Sequence, residues 1–131
     1  MGGFSNYWEN RILDHIFGKG SYTHPTIFVG LSTADPTDTG SGLAEPSGSG
    51  YARVQTSASD WNAAVNGSLD NTGNITFAQA TGNWGIIKHF ALFDAAAAGN
   101  MLAHGALNQS KAIGESVTAR FEAGDLQISL D

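Results

Sequence analysis

The sequence predicts a mainly β protein, an antiparallel sandwich or flattened barrel of about six or seven strands preceded by one amphipathic helix. Three observations carry this. The chain of 131 residues holds 17 glycines while only 14% of it is charged, a balance that favours many turns and short strands. Helical periodicity is confined to the first eighteen positions. After them, β-rich runs are separated by turn signals, with no helices alternating between the strands as an α/β fold requires. A chain of this length suits a single domain, residues 1–131.

The helix is placed at residues 4–17, where Phe4, Trp8, Ile12 and Ile16 recur at four-residue steps and Tyr7, Leu13 and Phe17 widen the stripe. Ser5 or Asn6 supplies the N-cap, Glu9 stands three residues after Asn6, and Gly18 offers a left-handed C-cap. So short a helix is marginal alone, so its stripe must dock on its own sheet or on a neighbouring subunit. Thr26 to Ser32, apolar on both faces and bounded by Pro25 and Asp35-Pro36, reads as a central strand. Residues 34–50 contain two prolines, four glycines and one large apolar side chain, Leu43, and form a long loop of the kind that is functional or ordered by a partner. The rest of the β-domain occupies 51–131.

In that remainder, Tyr51 to Thr56 resumes extended structure and Asn66-Gly67 and Asn71-Thr72-Gly73 mark turns. Ile75 and Phe77 alternate on a short strand. Gly85 to Phe93 and Met101 to Leu107 are longer strands, joined as an antiparallel hairpin by Asp94 to Asn100; the four alanines there are too few to nucleate a helix. Val117 to Phe121 and Leu126 to Leu130 read as a last pair of strands turned at Ala123-Gly124.

Chemistry is sparsely signalled. Six Lys and Arg against twelve Asp and Glu give a net charge of −6, which leaves no basic patch for nucleic acid or anionic lipid. No run approaches the ~20 apolar residues of a membrane span, and Glu9, Arg11 and Asp14 interrupt any signal-peptide core. The chain has no cysteine, so thiol catalysis and thiolate-held metals are excluded. His15, His24, His89 and His104 are scattered without metal-ligand spacing, although His89 and His104 lie on strands of one hairpin and are placed to meet. Asp35, Asp38 and Glu45 lack the order of a calcium loop, and no G-x-S-x-G elbow or phosphate loop occurs. Of the three tryptophans, Trp84 reads as core and Trp61, in polar company, as a contact residue. For Trp8, docking in cis and docking in trans stay open.

Several stretches in combination resemble a family of small virion proteins of tailed bacteriophages, often described as tail fibre or tail-associated proteins. They are Tyr7-Trp8-Glu9-Asn10, Ile12-Leu13-Asp14-His15, Phe28 to Pro36, Ala44 to Gly48, Gly50 to Val54, Asn74 to Phe77, Ala80 to Gly85, His89 to Ala95 and Phe121 to Leu126. The resemblance implies a non-enzymatic structural component of the virion, without cofactor, present in many symmetric copies as a tail, neck or capsid-decoration subunit, and the interrupted signal-peptide core and missing span place its synthesis in the host cytoplasm. Its expected partners are itself and other virion proteins. The candidate assembly interface is Phe4, Trp8, Ile12, Ile16 and Leu43. A competing reading is a host-surface carbohydrate or receptor module, with Tyr51 and Trp61 as candidate contacts.

Overall fold

A computed structural model describes residues 1–130. The protein is mainly β, a curled half-barrel sheet with one helix near its N-terminus, as its sequence predicts. In chain order the elements are β1 (Gly2–Phe4), α1 (Asn6–Ile16), β2 (Phe28–Ser32), β3 (Val54–Gln55), β4 (Ser68–Asp70), β5 (Ile75–Thr76), β6 (Gly85–Phe93), β7 (Met101–Ile113), β8 (Arg120–Phe121) and β9 (Gln127–Ser129). Seven strands form one sheet in the order β3-β2-β6-β7-β1-β9-β4, and β5 pairs with β8 in a second, two-stranded sheet.

The β6–β7 hairpin is the centre of the large sheet and follows from local sequence. Asp94 closes its turn: the carboxylate accepts the Asn100 backbone N–H at 2.7 Å and the Asn100 amide at 2.9 Å. Ala98 and Gly99 take the positive φ that the reversal requires. β2 lies between β3 and β6, with Leu31 opposite Phe90 and Val29 opposite Leu92, so the central position expected of it holds. Alternation then separates two faces. Val29, Leu31, Ile87, Phe90 and Leu92 point into the main core with Phe77, Trp84, Leu102, Leu126 and Ile128. Ala91 and Phe93 point the other way, where Met101, Phe28 and Leu43 join them. Phe121 on β8 closes the main core by edge-to-face contacts with Phe77 and Phe90.

Three local expectations are corrected. The helix starts at Asn6 rather than Phe4: Ser5 caps it, accepting the Trp8 N–H, and donates its own hydroxyl to the Met101 carbonyl. Phe4 belongs to β1, held opposite Ala103. At the other end Gly18, with φ 72°, and Lys19 return N–H groups to the carbonyls of His15 and Asp14, the Schellman arrangement that glycine permits. Second, the sheet is not wholly antiparallel, because β1 runs parallel to β9 with Gly2 opposite Ile128. Third, the turn at Ala123-Gly124 exists, but its flanking strands part company: Phe121 faces Ile75 and Ile128 faces Leu69.

Buried Asn71 explains that parting. Its amide donates to the carbonyls of Gly73 and Glu122, its side-chain oxygen accepts the Leu126 N–H, and its backbone carbonyl accepts the Gly124 N–H. These bonds hold the 122–126 turn against the 71–73 turn, which leaves β8 and β9 nothing to gain by pairing with each other. Asn71→Ala strands the buried Leu126 N–H, at about 1–3 kcal/mol, and removes the donor shared by the Gly73 and Glu122 carbonyls at the edge of the core, at roughly 1 kcal/mol more. We expect a loss of roughly 3 kcal/mol in urea unfolding; an unchanged midpoint would mean that water replaces the amide.

Candidate functional site

The apolar stripe of α1 does not end in a core. Tyr7, Trp8 and Ile12 are half-buried, Leu13, Ile16 and Phe17 are exposed, and no residue of the helix is fully buried. Only the first turn rests on the sheet, where the Trp8 and Phe4 rings lie 4.3 Å apart. From there an open groove of about 680 Å³ runs between α1, the 24–27 segment, the 56–64 segment and the end of the sheet. Its walls include Phe4, Trp8, Ile27, Trp61, Leu69 and Leu130. Among the described residues, none that lines it is Asp, Glu, Lys or Arg, in a chain with eighteen such residues. The Trp61 ring is fixed in this wall by its indole N–H, which donates to Thr56 Oγ1 at 2.9 Å, while Thr56 donates to the Ile27 carbonyl at 2.7 Å.

The opposite face of the sheet is covered by the long loop at 34–50. Small Gly30 and Ala91, opposite each other on β2 and β6, leave room there for a buried polar clasp. Glu45 accepts Arg53 Nε at 3.0 Å and Nη2 at 2.7 Å, the bidentate fork that guanidinium geometry suits. Arg53 Nη1 donates to the carbonyls of Ala95 and Ala98, and the guanidinium stacks 3.5 Å from the Phe93 ring centroid. Tyr51 donates its hydroxyl to Glu45 at 2.6 Å and accepts the Leu31 N–H, filling the place on the β2 edge that short β3 does not reach. The loop is therefore tied down by this chain's own residues.

Burial, and then the hydrogen bond to the Glu45 carboxylate, push the Tyr51 hydroxyl well above its ordinary pKa of 10.0. The Leu31 N–H and the Arg53 charge oppose this shift and lose. Because the folded-state pKa is raised, the stability tied to neutral Tyr51 is complete below pH 10.0 and drains away above it, as the unfolded tyrosine ionises first. Urea midpoints followed from neutral pH to about pH 11 should fall more steeply for the wild type than for Tyr51→Phe. At neutral pH that variant should itself lose about 1–3 kcal/mol, since Glu45 and the Leu31 N–H lose a partner. Parallel pH profiles would remove Tyr51 from the account.

The structure gathers the sequence candidates unevenly. Phe4, Trp8 and Trp61 meet at the groove, so the tryptophan read as a receptor contact shares a wall with residues read as an assembly interface. Ile12 and Ile16 continue from Trp8 along the helix away from the sheet. Leu43 is elsewhere, packed beside Ala91, Phe93 and Met101. Tyr51 lies inside, its ring stacked at 6.3 Å on Phe77 and edge-on to Trp84.

Among the histidines, His104 meets loop carboxylates rather than His89: Nε2 is 2.9 Å from Asp38 and Nδ1 3.8 Å from Asp35. Since Glu45 is taken by Arg53, the three carboxylates do not converge. Among the described residues no group of three or more His, Asp or Glu is arranged to hold a metal. Missed by the sequence reading were Leu130, read only as the end of a strand, and Arg53, which carried no local signal at all.

The chain matches the family model of the podophage GP4 fiber I protein gp80 over residues 3–129. It belongs to this family. Membership agrees with the tailed-phage resemblance carried by the motifs from Tyr7 to Leu126, and the match takes in the whole of α1, the clasp and every groove-lining residue but Leu130. No curated protein matches the chain. The fibre family makes this chain a structural protein of the phage virion. No helix among the described residues is long and apolar enough to cross a membrane.

Proposed function

We propose that this chain is a non-enzymatic subunit of a tailed-phage fibre that works by contact with neighbouring virion proteins, through the groove and the helical stripe beside it. The uncharged groove is the observation that carries the reading. A protein with a net charge of −6 keeps water-soluble surfaces polar, and large apolar patches on such surfaces mark interaction sites. The fibre family favours a tail position over capsid decoration. On this reading the clasp holds the 34–50 loop, and the sheet is a rigid mount for the helix. The protein is made in the host cytoplasm and ends in the particle.

Two measurements test it. Electron cryo-microscopy of particles of the source phage should find this chain along the tail, and its absence from purified particles would end the virion reading. Ile12→Asp sets a charge on the half-buried stripe. It should lower incorporation into particles at least tenfold while far-ultraviolet dichroism stays that of a folded β protein; a molten chain would instead make the stripe part of the core.

A further inference from the structure

We infer that the occupant of the groove is the exposed end of α1 from a second copy of this chain, so that neighbouring subunits exchange helix ends. This deepens the fibre-subunit reading and rests on it for the setting, though not for the contact itself.

The two surfaces are complementary in kind. Leu13, Ile16 and Phe17 stand at i, i+3 and i+4, the spacing with which one helix face fills an apolar groove, and Phe17 is 73% exposed. The groove offers a mostly apolar surface, with Phe4, Trp8, Ile27, Trp61 and Leu69 among its walls and no Asp, Glu, Lys or Arg among the described residues that line it. That matters most between identical chains, because two copies each bearing −6 repel unless the touching surfaces are neutral. A basic partner would need acidic side chains in the groove, and none of the described residues lining it is acidic.

Size agrees. Leu13, Ile16 and Phe17 of the helix end and Leu130 of the groove each keep more than half of their surface in water. At roughly 100 Å² apiece they expose about 400 Å², and the remaining groove walls add toward the ~800 Å² per partner of a stable interface. Position agrees as well. Trp8 lines the groove from the first turn of α1, whereas Leu13, Ile16 and Phe17 stand at the far end of the same helix, so the acceptor surface lies at one end of α1 and the donor surface at the other. A two-fold axis that sets two such helices side by side in opposite directions brings each helix end to the other copy's groove and closes the assembly, as symmetric oligomers require.

The absence of cysteine makes the test clean. Chains carrying Phe17→Cys and chains carrying Ala64→Cys, tagged to differ in size, are mixed and oxidised, and the wild type is sedimented over a range of concentrations. The inference expects concentration-dependent self-association and a mixed disulfide between the two variants. It also expects Phe17→Asp and, from the groove side, Leu130→Asp each to weaken association at least tenfold without loss of fold. Both residues are exposed in the single chain, so folding does not depend on them. A wild type that stays monomeric yet enters particles would overturn the exchange and leave the fibre reading intact, with another virion protein in the groove. An oligomer indifferent to both aspartates, or without mixed disulfide, would place the contact elsewhere and overturn it too. A chain that neither associates nor enters particles would sink both.

Discussion

Arg53→Ala is expected to lower stability by about 3–5 kcal/mol, the range for removing one member of a buried ion pair. The side chain is 5% exposed and four of its N–H groups are engaged, two by Glu45 and one each by the carbonyls of Ala95 and Ala98. Deleting it leaves the Glu45 carboxylate uncompensated in the sheet face and frees the 95–98 turn. Arg53→Lys should recover little, because an ammonium cannot present the fork to Glu45 and reach both carbonyls together. The double variant Arg53→Met, Glu45→Gln should be less damaged than Arg53→Ala, since the stranded charge is then gone. Urea unfolding of the three proteins decides it, and a double variant damaged as much as Arg53→Ala would show that the stranded charge is not the source of the loss. A small domain holds only 5–15 kcal/mol in total, so the single change brings this one near its threshold.

Gly105→Val should cost about as much by a different route. A Cβ at Gly105 would lie 2.7 Å from Gly2 Cα, 2.8 Å from the Met1 carbonyl oxygen and 2.8 Å from the Phe90 ring, two of them backbone atoms of the adjoining segment. The valine drives β1 off β7. Overpacking alone costs 1–3 kcal/mol, and the lost strand bonds bring the expected total to roughly 3–5 kcal/mol. The loss should also be polarised, because β1 is the strand that joins β9 and β4 to the rest of the sheet. Amide exchange should quicken across Gln127–Ser129 and Ser68–Asp70 while β6 stays protected, and unchanged exchange in β9 would show that the sheet does not depend on β1.

What could be read from the chain itself followed the range over which its physics acts. The β6–β7 hairpin, its Asp94 turn and the capped helix are settled by neighbours within a few residues, and periodicity finds them. β1 is hidden because Gly-Gly-Phe has no strand signature. Its Gly2 is needed by the Phe90 ring and by Gly105, a hundred positions away. The separation of β8 from β9 hangs on Asn71, whose turn-like neighbourhood suggests only a loop. In the site, Trp8 was legible from four-residue spacing. That Trp61 and Leu130 stand across the same groove is a tertiary fact. The Glu45–Arg53 fork spans Pro46, Gly48 and Gly50, and no local rule pairs residues across such a stretch.

Placing Gly2–Phe4 between strands from the far end of the chain also sets how the protein comes to be folded. The hairpin of β6 and β7 closes a short loop and can form early, whereas Gly2 must find both Gly105 and Ile128 before the sheet is continuous. Such distant pairings put the final step on the millisecond-to-second scale typical of high-contact-order β proteins. Until then β7 and β9 face water with unpaired edges, open to the β1 segment of any other nascent copy. Where many copies of the chain fold side by side, the yield of correctly folded chains is thus governed by a race between a strand and its twins.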